Sequence, residues 1–372
     1  MRTEKQLTHK VVRGLSKILG QESVDFWLQQ AGSIQSATRC LARVARIEKE
    51  TPLSASIWLE PNGLFEGFKA GQHVNVGVTV NGVVHTRSYS FSNAPSANGL
   101  LRLTVKKTPD GVVSNHLVEN LQVGDVIELG DVFGDMTLEN TQPELDQQEP
   151  ELLLLAAGSG ITPMMSLLEA LEQKQWPANV TLIVWARNPE DVIFNATLSK
   201  MAEKSEQFNY VRALEEGANV DQGDLEGRPS KQQIEQHLKQ IERTDVYACG
   251  PDGFMKVVES IVGQDAKSLH TESFTPVAMT LADDVEVKTF PITLSRSNRV
   301  VEVPNNKPLL KALLDKGINA PHGCGMGICN TCSCEKLLGT TQNMQNQSVC
   351  GQSNTALRLC VNAAQSPLTL DL

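Results

Sequence analysis

Hydrophobic positions recur at different spacings along the chain, and each spacing predicts a different kind of element. The first 38 residues repeat them near helical spacing, at Leu7, Val11, Leu15, Ile18 and Leu19. From Arg39 to about Leu138 the pattern changes to short β-rich runs punctuated by Gly, Pro and Asn, which predicts a small antiparallel barrel. We expect the N-terminal helical segment either to cap that barrel or to dock on a partner or a membrane surface.

A second pattern begins after the polar, proline-bounded segment TQPELDQQEP at 141–150, which is typical of a linker. The apolar run ELLLLAA leads into a glycine turn, then the helical MMSLLEALEQK and the strand-like VTLIVWA. Strands and helices continue to alternate, which predicts a parallel α/β layer. After Phe274 a further connector, TPVAMTLADD, precedes two strand-like runs, a helix at 309–315 and a cysteine-rich loop. The predicted segments are therefore 1–38, 39–143, 150–274 and 285–372.

Composition and charge narrow the class of protein. The 372 residues are 40% hydrophobic and 20% charged, a balance typical of folded globular chains. No run of 18 apolar residues occurs and the first ten residues lack an apolar secretory core, so we expect a cytoplasmic protein with reduced thiols. The formal charge of −10 argues against nucleic-acid binding and is compatible with an acidic electron carrier.

The cysteines point to a C-terminal metal module, since six of the eight follow residue 320. Cys324, Cys329 and Cys332 have C-x4-C-x2-C spacing and Cys360 follows at a distance, which is the plant-type 2Fe-2S pattern. The alternative is structural zinc, although zinc sites usually arrive as two C-x2-C knuckles. Of the two spare cysteines in this region, Cys334 is a conceivable substitute ligand, but we expect ordinary thiols at both Cys334 and Cys350.

Two motifs in the predicted barrel have the chemistry of a flavin site. In RSYSFSN, Arg87 can clamp a phosphate, Tyr89 can lie against an isoalloxazine or ribose, and Ser90 can hydrogen-bond the reactive flavin edge. Downstream, Gly111 and Ser114 flank a predicted helix start whose backbone amides suit a pyrophosphate. Taken alone, each motif also fits an ordinary strand or a glycine turn.

Two further motifs lie in the predicted α/β layer. GSGITP at 158–163 follows an apolar strand and precedes a helix, where a dinucleotide phosphate meets unpaired amides. It lacks the full G-x-G-x-x-G fingerprint, and Arg187 stands near the position expected to carry an acidic residue. Cys249-Gly250-Pro251 ends a later predicted strand and is a weak signal by itself.

In combination, the RxYSxxN, GxxS, GxGITP and CGP motifs resemble the ferredoxin-NADP reductase superfamily from about Arg39 to Phe274, and residues 285–372 resemble a plant-type ferredoxin domain. The resemblance implies a multidomain fold: an antiparallel β-barrel flavin domain, an α/β parallel-sheet nucleotide domain and an α+β β-grasp ferredoxin domain, with a helical N-terminal extension. It implies that the following residues bind flavin or nicotinamide: Arg87, Tyr89, Ser90, Gly111, Val113, Ser114, Gly158, Gly160, Thr162, Arg187, Cys249, Glu272 and Phe274. Ser90, Thr162 and Cys249 are the predicted catalytic positions, and Cys324, Cys329, Cys332 and Cys360 the predicted cluster ligands.

The function implied is a reductase that takes electrons from NADPH or NADH through FAD and a 2Fe-2S cluster to a one-electron protein acceptor, such as an oxygenase, hydroxylase or membrane fatty-acid desaturase. FMN in place of FAD is the lesser alternative, and Arg187 gives a slight preference for NADPH. We expect a monomer with at most peripheral membrane contact. The alternatives are a non-catalytic electron-transfer subunit and, behind it, a redox-sensing binding protein.

Overall fold

A computed structural model describes residues 11–138 except 13, residues 151–274 except 221, 222 and 239, and residues 286–372 except 324, 326, 328 and 346. The predicted linker at 141–150 and the connector at 275–284 lie outside the described residues. The chain divides into two compact units, Met1–Phe274 and Thr275–Leu372.

The helices and strands of the described residues are numbered in chain order. The helices are α1 (11–19), α2 (Gln21–Gln30), α3 (Val112–Glu119), α4 (Ile161–Gln173), α5 (Asn195–Lys204), α6 (Lys231–Glu235), α7 (Asp252–Val262) and α8 (Leu309–Asp315). The strands of the first unit are β1 (Leu41–Thr51), β2 (Ser54–Pro61), β3 (His73–Val80), β4 (Val83–Ser90), β5 (Leu101–Lys106), β6 (Val126–Phe133), β7 (Glu151–Ala157), β8 (Asn179–Ala186), β9 (Phe208–Leu214), β10 (Leu225–Glu226), β11 (Thr244–Gly250) and β12 (Ser268–Ser273). Those of the second unit are β13 (Thr289–Leu294), β14 (Arg299–Pro304), β15 (Ser333–Leu338), β16 (Thr341–Asn343), β17 (Val349–Cys350), β18 (Thr355–Arg358), β19 (Asn362–Ala364) and β20 (Leu368–Leu370).

The first sheet is antiparallel and nearly closed on itself. Its strand order is β4-β3-β6-β1-β2-β5, and a bridge between Phe91 and Leu103 brings its two ends together. Val74, Val76 and Leu103 are among the fully buried side chains that fill its interior. The alternating hydrophobic runs of residues 41–133 therefore fold as the predicted antiparallel barrel.

The second sheet is parallel, with strand order β10-β9-β8-β7-β11-β12. The run ELLLLAA forms β7 at its centre, where successive side chains alternate between the two faces. Leu152 and Leu154 enter the core on one face, while Leu153 and Leu155 enter the core on the other. A strand buried on both faces explains why this segment is continuously apolar.

Helix α4 interlocks the barrel with the parallel sheet. Ser166 accepts a hydrogen bond from the amide of Gly71 (3.3 Å) and donates one to the carbonyl of Asn93 (2.7 Å). Glu169 pairs with Arg102 of β5 at 2.7 Å and accepts a hydrogen bond from the Ala94 amide at 2.9 Å. The helix that follows the glycine turn is thereby fixed against the barrel.

The second unit combines the mixed sheet β14-β13-β20-β15-β18 with a smaller sheet, β17-β16-β19, and helix α8. The buried face of α8, including Leu309 and Leu313, packs into the core of this unit. The fold class predicted from the sequence is confirmed in all of these layers. The N-terminal helices end at Gln30 rather than near residue 38, and the helix predicted at 231–241 is shorter, ending at Glu235.

Candidate redox site

The parallel sheet has a switch point between β7 and β11, where the chain order of the strands reverses. The turn Gly158–Gly160 leaves β7 there and leads directly into α4. A Cβ on Gly160 would lie 2.0 Å from the carbonyl oxygen of Cys249, so the two backbone segments can approach only because this residue is glycine. Crevices of this kind, at the carboxyl ends of parallel strands beside a helix N-terminus, bind dinucleotide phosphates.

Thr162 and Arg187 stand on either side of this crevice. The buried Thr162 hydroxyl donates a hydrogen bond to the Ser159 carbonyl at 3.0 Å, so it holds the shape of the glycine turn. Arg187 is exposed and directly follows β8, the strand next to β7. Position 187 therefore lies at the same edge of the sheet as the glycine turn.

Cys249 lies in β11 beside Glu272 of β12, and both strands end at the switch point. Its thiol is fully buried. Burial, assisted by the charge of Glu272, raises the pKa of Cys249 well above the usual value. The side chain is therefore a neutral thiol rather than a nucleophilic thiolate.

A buried polar cluster joins the barrel to the parallel sheet at this point. His73 Nε2 of β3 lies 2.7 Å from Glu272 Oε1, with the two side chains 2% and 9% exposed. The contact has ion-pair distance but not hydrogen-bond alignment, since neither imidazole nitrogen has a hydrogen-bond partner among the described residues. Ser90 is the cross-strand neighbour of His73, and its buried hydroxyl also lacks a partner in that set. We call Ser90, His73, Cys249 and Glu272 the interdomain polar cluster.

Aromatic rings enclose this cluster. The His73 imidazole stacks on Phe133 at 5.7 Å and meets the edge of Phe274 at 6.0 Å. The amide of Phe274 donates to the Gly250 carbonyl at 3.2 Å, which ties the end of the first unit to the switch point. Buried polar groups without partners are costly, and in native proteins they usually mark a functional site or a ligand.

Arg87 and Tyr89 precede Ser90 on β4, at alternate positions that share one side of the strand. Arg87 is exposed and donates to the carbonyl of the adjacent Thr86 at 2.7 Å, while Tyr89 is half-buried on the barrel core. Burial raises the pKa of Tyr89 above its usual value, so its hydroxyl is protonated.

Gly111 caps the start of α3, which packs against β3, β4 and β5. A Cβ on Gly111 would lie 2.2 Å from Thr108 Oγ1 and 2.3 Å from Ser114 Oγ, so any larger residue would displace these two hydroxyls. Ser114 binds back to the same turn, 3.0 Å from Thr108 Oγ1, and Val113 is buried. The first amides of α3 therefore emerge from a tight turn that is closed by Ser114, as a phosphate cradle requires.

In the second unit the cysteine loop brings two of the predicted ligands together. Cys332 Sγ lies 3.1 Å from Cys360 Sγ, and this hydrogen bond lowers the pKa of Cys332 to about 7. Cys329 is also buried, and its charge raises the pKa of Cys332, which offsets part of this lowering. Cys324 lies outside the described residues; within the described part, no three potential ligands are close enough to hold one metal ion.

The predicted ligands and the two spare cysteines lie in different kinds of backbone. Gly327 has φ +82°, and a Cβ there would lie 2.8 Å from Val361 Cγ1. Cys334 lies in β15, and burial raises the pKa of its thiol to about 12. Cys350 lies in β17, and the buried Lys336 ammonium donates to its carbonyl at 2.6 Å. Both spare cysteines therefore belong to strands rather than to the loop.

Comparison with known families assigns a cofactor to each layer. Residues 59–136 match the oxidoreductase FAD-binding domain, residues 154–260 the oxidoreductase NAD-binding domain, and residues 292–362 the 2Fe-2S iron-sulfur cluster binding domain. The chain is 30% identical to NADH oxidoreductase HCR of Escherichia coli K12, over 80% of this chain and 86% of that protein. It is 29% identical to an NADPH oxidoreductase of Mycobacterium tuberculosis, over 94% of this chain and 88% of that protein.

The chain belongs to the ferredoxin-NADP reductase superfamily, in its form with a C-terminal 2Fe-2S domain. Among solved structures it resembles phthalate dioxygenase reductase, with a TM-score of 0.60 and 24% identity over 90% of this chain and 98% of that one. The predictions of an NAD(P)H-dependent oxidoreductase and of FAD, NAD(P)H and 2Fe-2S as cofactors are confirmed.

The side chains of this reductase fit the cofactors of its family. The buried Ser90 hydroxyl has no hydrogen-bond partner among the described residues and is suited to bind a flavin edge, and the predicted phosphate positions at Gly111 and Gly160 are close-packed glycines at helix starts. The close Cys332–Cys360 pair suits two thiolates on one iron. The roles of the individual site residues and the bounds of the domains stay predictions.

Sequence reasoning missed His73. The segment HVNVGVTV predicts only a barrel strand, and the one signal is a histidine at the start of a valine-rich run. Such a histidine is usually satisfied within a core. In this protein its partner, Glu272, comes from a strand 199 positions later, so no local pattern predicts the contact.

Proposed function

We propose that this reductase oxidises NAD(P)H and passes the electrons singly to a partner oxygenase, hydroxylase or fatty-acid desaturase. The observation that carries the proposal is the interdomain polar cluster, which lies at the carboxyl ends of β11 and β12 and at the end of β4. It brings the predicted flavin residue Ser90 and the predicted nicotinamide residue Cys249 around one buried carboxylate. A comparison with the glycine betaine monooxygenase reductase subunit of Chromohalobacter salexigens, 28% identical over 76% of this chain, supports an oxygenase as partner.

The residues have distinct roles in this proposal. Arg87, Tyr89 and Ser90 hold FAD, with Gly111, Val113 and Ser114 at its pyrophosphate. The crevice of Gly158, Gly160 and Thr162 orients the nicotinamide nucleotide beside Cys249, and Arg187 meets a 2′-phosphate if NADPH is the donor. When bound, FAD accepts a hydride and the 2Fe-2S cluster carries single electrons. The protein groups position the two ring systems and exclude water; no general base or nucleophile is needed.

Glu272 and Phe274 complete the site on the side of the parallel sheet. The Glu272 carboxylate lies against His73. Burial, assisted by the charge of Glu272, raises the pKa of Cys249 and keeps its thiol neutral, so that a ring can lie against the sulfur without competing covalent chemistry. Phe274 covers the imidazole of His73. In the second unit, Cys324, Cys329, Cys332 and Cys360 are the proposed cluster ligands.

The test separates the two cofactor sites. Cys329→Ala should lose the cluster, measured as iron and sulfide content, while NAD(P)H oxidation with ferricyanide remains within about twofold of the parent protein. Reduction of a one-electron protein acceptor should fall at least tenfold. Cys334→Ala is the matched control and should retain both activities and the iron. Full one-electron transfer by Cys329→Ala would refute the pathway.

Steady-state comparison of NADH with NADPH, on the parent chain and on Arg187→Ala, tests the donor. A preference for NADPH that falls in the variant supports contact with the 2′-phosphate, and an unchanged ratio refutes it. Purified chain that fails to oxidise either nucleotide would favour the non-catalytic electron-transfer subunit. We also propose a cytoplasmic monomer, which light scattering and cell fractionation test.

A further inference from the structure

The two N-terminal helices turn large apolar side chains toward solvent. Their exposed fractions exceed two fifths for every member of the set: Val11 57%, Leu15 46%, Ile18 82%, Leu19 60%, Phe26 54% and Trp27 69%. We call these six residues the N-terminal apolar face. Scattered exposed hydrophobics are normal in folded proteins, but several large ones on two consecutive helices are a candidate interaction surface.

Helix α1 exposes its apolar face, whereas a helix that caps the barrel would bury that face. Val11, Leu15 and Ile18 recur at helical spacing on the outer side, whereas Val12 and Ser16 are buried at 4% and 6% exposure. A capping helix would bury the larger apolar stripe and expose the serine. In this protein α1 instead buries Val12 and Ser16, so the exposed apolar side chains are free to contact a binding partner.

Polar contacts hold α2, and with it Phe26 and Trp27, on the segment that leads into the barrel. The carboxylate of Asp25 in α2 accepts hydrogen bonds from the Ser36 hydroxyl (2.8 Å), the Ala37 amide (2.6 Å) and the Thr38 hydroxyl (2.9 Å). Arg43 of β1 donates to the Gly32 carbonyl at 2.7 Å. Val24 is buried, whereas Phe26, two positions later and so on the opposite side of α2, is exposed; the Trp27 ring meets Phe26 edge-on at 5.4 Å. The exposed rings are therefore presented from a fixed scaffold.

Charge separates this end of the sequence from the rest. Residues 1–19 contain five Lys or Arg and one Glu, a formal charge of +4 in a chain of −10, so the other 353 residues have a charge of −14. No acidic residue occurs between Lys5 and Gln21. An anionic surface attracts this end and repels the remainder, which orients the molecule as it approaches. Each basic residue near an anionic bilayer contributes about 1 kcal/mol.

We propose that the N-terminal apolar face docks the reductase peripherally on an anionic lipid surface. Aliphatic and aromatic side chains combined with a predominantly basic flanking sequence are typical of interfacial helices. The formal charge of +4 over residues 1–19 complements an anionic lipid surface. None of the helices in the described residues combines the length and the hydropathy needed to cross a bilayer, so these helices would lie in the interface rather than span it. This proposal goes beyond electron transfer and does not depend on the partner.

Vesicle binding by the full-length holoprotein tests the proposal. Vesicles of phosphatidylglycerol and phosphatidylcholine should co-sediment the parent protein, and vesicles of pure phosphatidylcholine should do so at least tenfold less. Ile18→Asp should lower partitioning onto the anionic vesicles about tenfold or more, since it removes the most exposed member of the face. Val220→Asp, at a 63% exposed valine in the nucleotide-binding half, is the matched control and should bind as the parent does.

Tryptophan emission supplies a second readout. Trp27 is 69% exposed, whereas Trp176 and Trp185 are buried and Trp58 is half-buried in β2, so a blue shift on addition of anionic vesicles should disappear in Trp27→Phe while co-sedimentation persists. Equal vesicle binding by Ile18→Asp and the parent would overturn the proposal. Absence of any vesicle binding by the parent protein would also overturn it. If a protein acceptor then binds the parent protein but not Ile18→Asp, the face belongs to that acceptor. NAD(P)H oxidation with ferricyanide should not change in Ile18→Asp, so failure of lipid docking is distinct from failure of the reductase function.

Discussion

Single residues decide how closely the flavin-binding and nicotinamide-binding halves of the site can approach. Gly160 allows the turn after β7 to touch the Cys249 carbonyl, and His73 reaches across from the barrel to Glu272. Neither contact is a matter of general hydrophobicity. Each depends on one side chain, or on the lack of one, at one position, and each can therefore be tested by a single substitution.

Gly160→Ala should damage nicotinamide binding selectively. The added Cβ would lie 2.0 Å from the Cys249 oxygen, so the turn or β11 must shift, and the KM for NAD(P)H should rise about tenfold, or roughly 1.4 kcal/mol. Flavin absorbance should be retained because the barrel motifs are untouched. Gly253→Ala is the control, since nothing lies within 4 Å of its Cβ position. Equal kinetics for the two variants would place the nucleotide elsewhere.

Removing His73 should destabilise the protein because it leaves the buried Glu272 side chain without a contact. In His73→Ala the buried Glu272 carboxylate loses its contact with the imidazole, and leaving a buried polar group without its partner costs about 1–3 kcal/mol. The double variant with Glu272→Gln should recover part of this loss, because the uncompensated charge is gone. Thermal unfolding of the two single variants and the double variant measures the coupling, and simple additivity would show that the two side chains act independently.

At the scale of elements, the order and type of strands and helices follow from the sequence, but the contacts between layers do not. The five-residue apolar core of β7 and the alternation around it specify a parallel sheet, because only a strand buried on both faces is continuously apolar. Helix α6 was predicted too long because nothing in its helical pattern shows that the helix stops at Glu235, before Leu238. The interlock of α4 with the barrel joins residues 67 positions apart in sequence, which local periodicity cannot reveal.

The α4 interlock predicts a stability change at Glu169. Arg102 is buried, which lowers the pKa of its guanidinium, and the opposing charge of Glu169 compensates for part of the cost of burial. Glu169→Ala should therefore lower the free energy of unfolding by about 2 kcal/mol. Glu172→Ala, an exposed position on the same helix, should change it by less than about 0.5 kcal/mol. Equal midpoints in thermal unfolding would mean that the pair contributes nothing to docking of α4.

The whole molecule is organised as two compact units whose junction falls between Phe274 and Thr275. The predicted flavin and nicotinamide residues all lie in the first unit, and the predicted cluster cysteines all lie in the second. The interdomain polar cluster is completed within the first unit, since Glu272 and Phe274 are among its last residues. The chemistry of hydride acceptance and that of single-electron delivery are thus separable along the chain.

A fragment ending at Phe274 should therefore be a working diaphorase. With its own buried cores, the first unit should fold, keep FAD and oxidise NAD(P)H with ferricyanide at a rate within about twofold of the full chain. Reduction of a protein acceptor should fall at least tenfold, because the thiols that would hold the cluster are absent. A second fragment ending at Leu269 would lack Glu272 and Phe274, and it should lose most of the ferricyanide activity. If the two fragments behave alike, the end of β12 contributes nothing to the site and the role of the interdomain polar cluster is wrong.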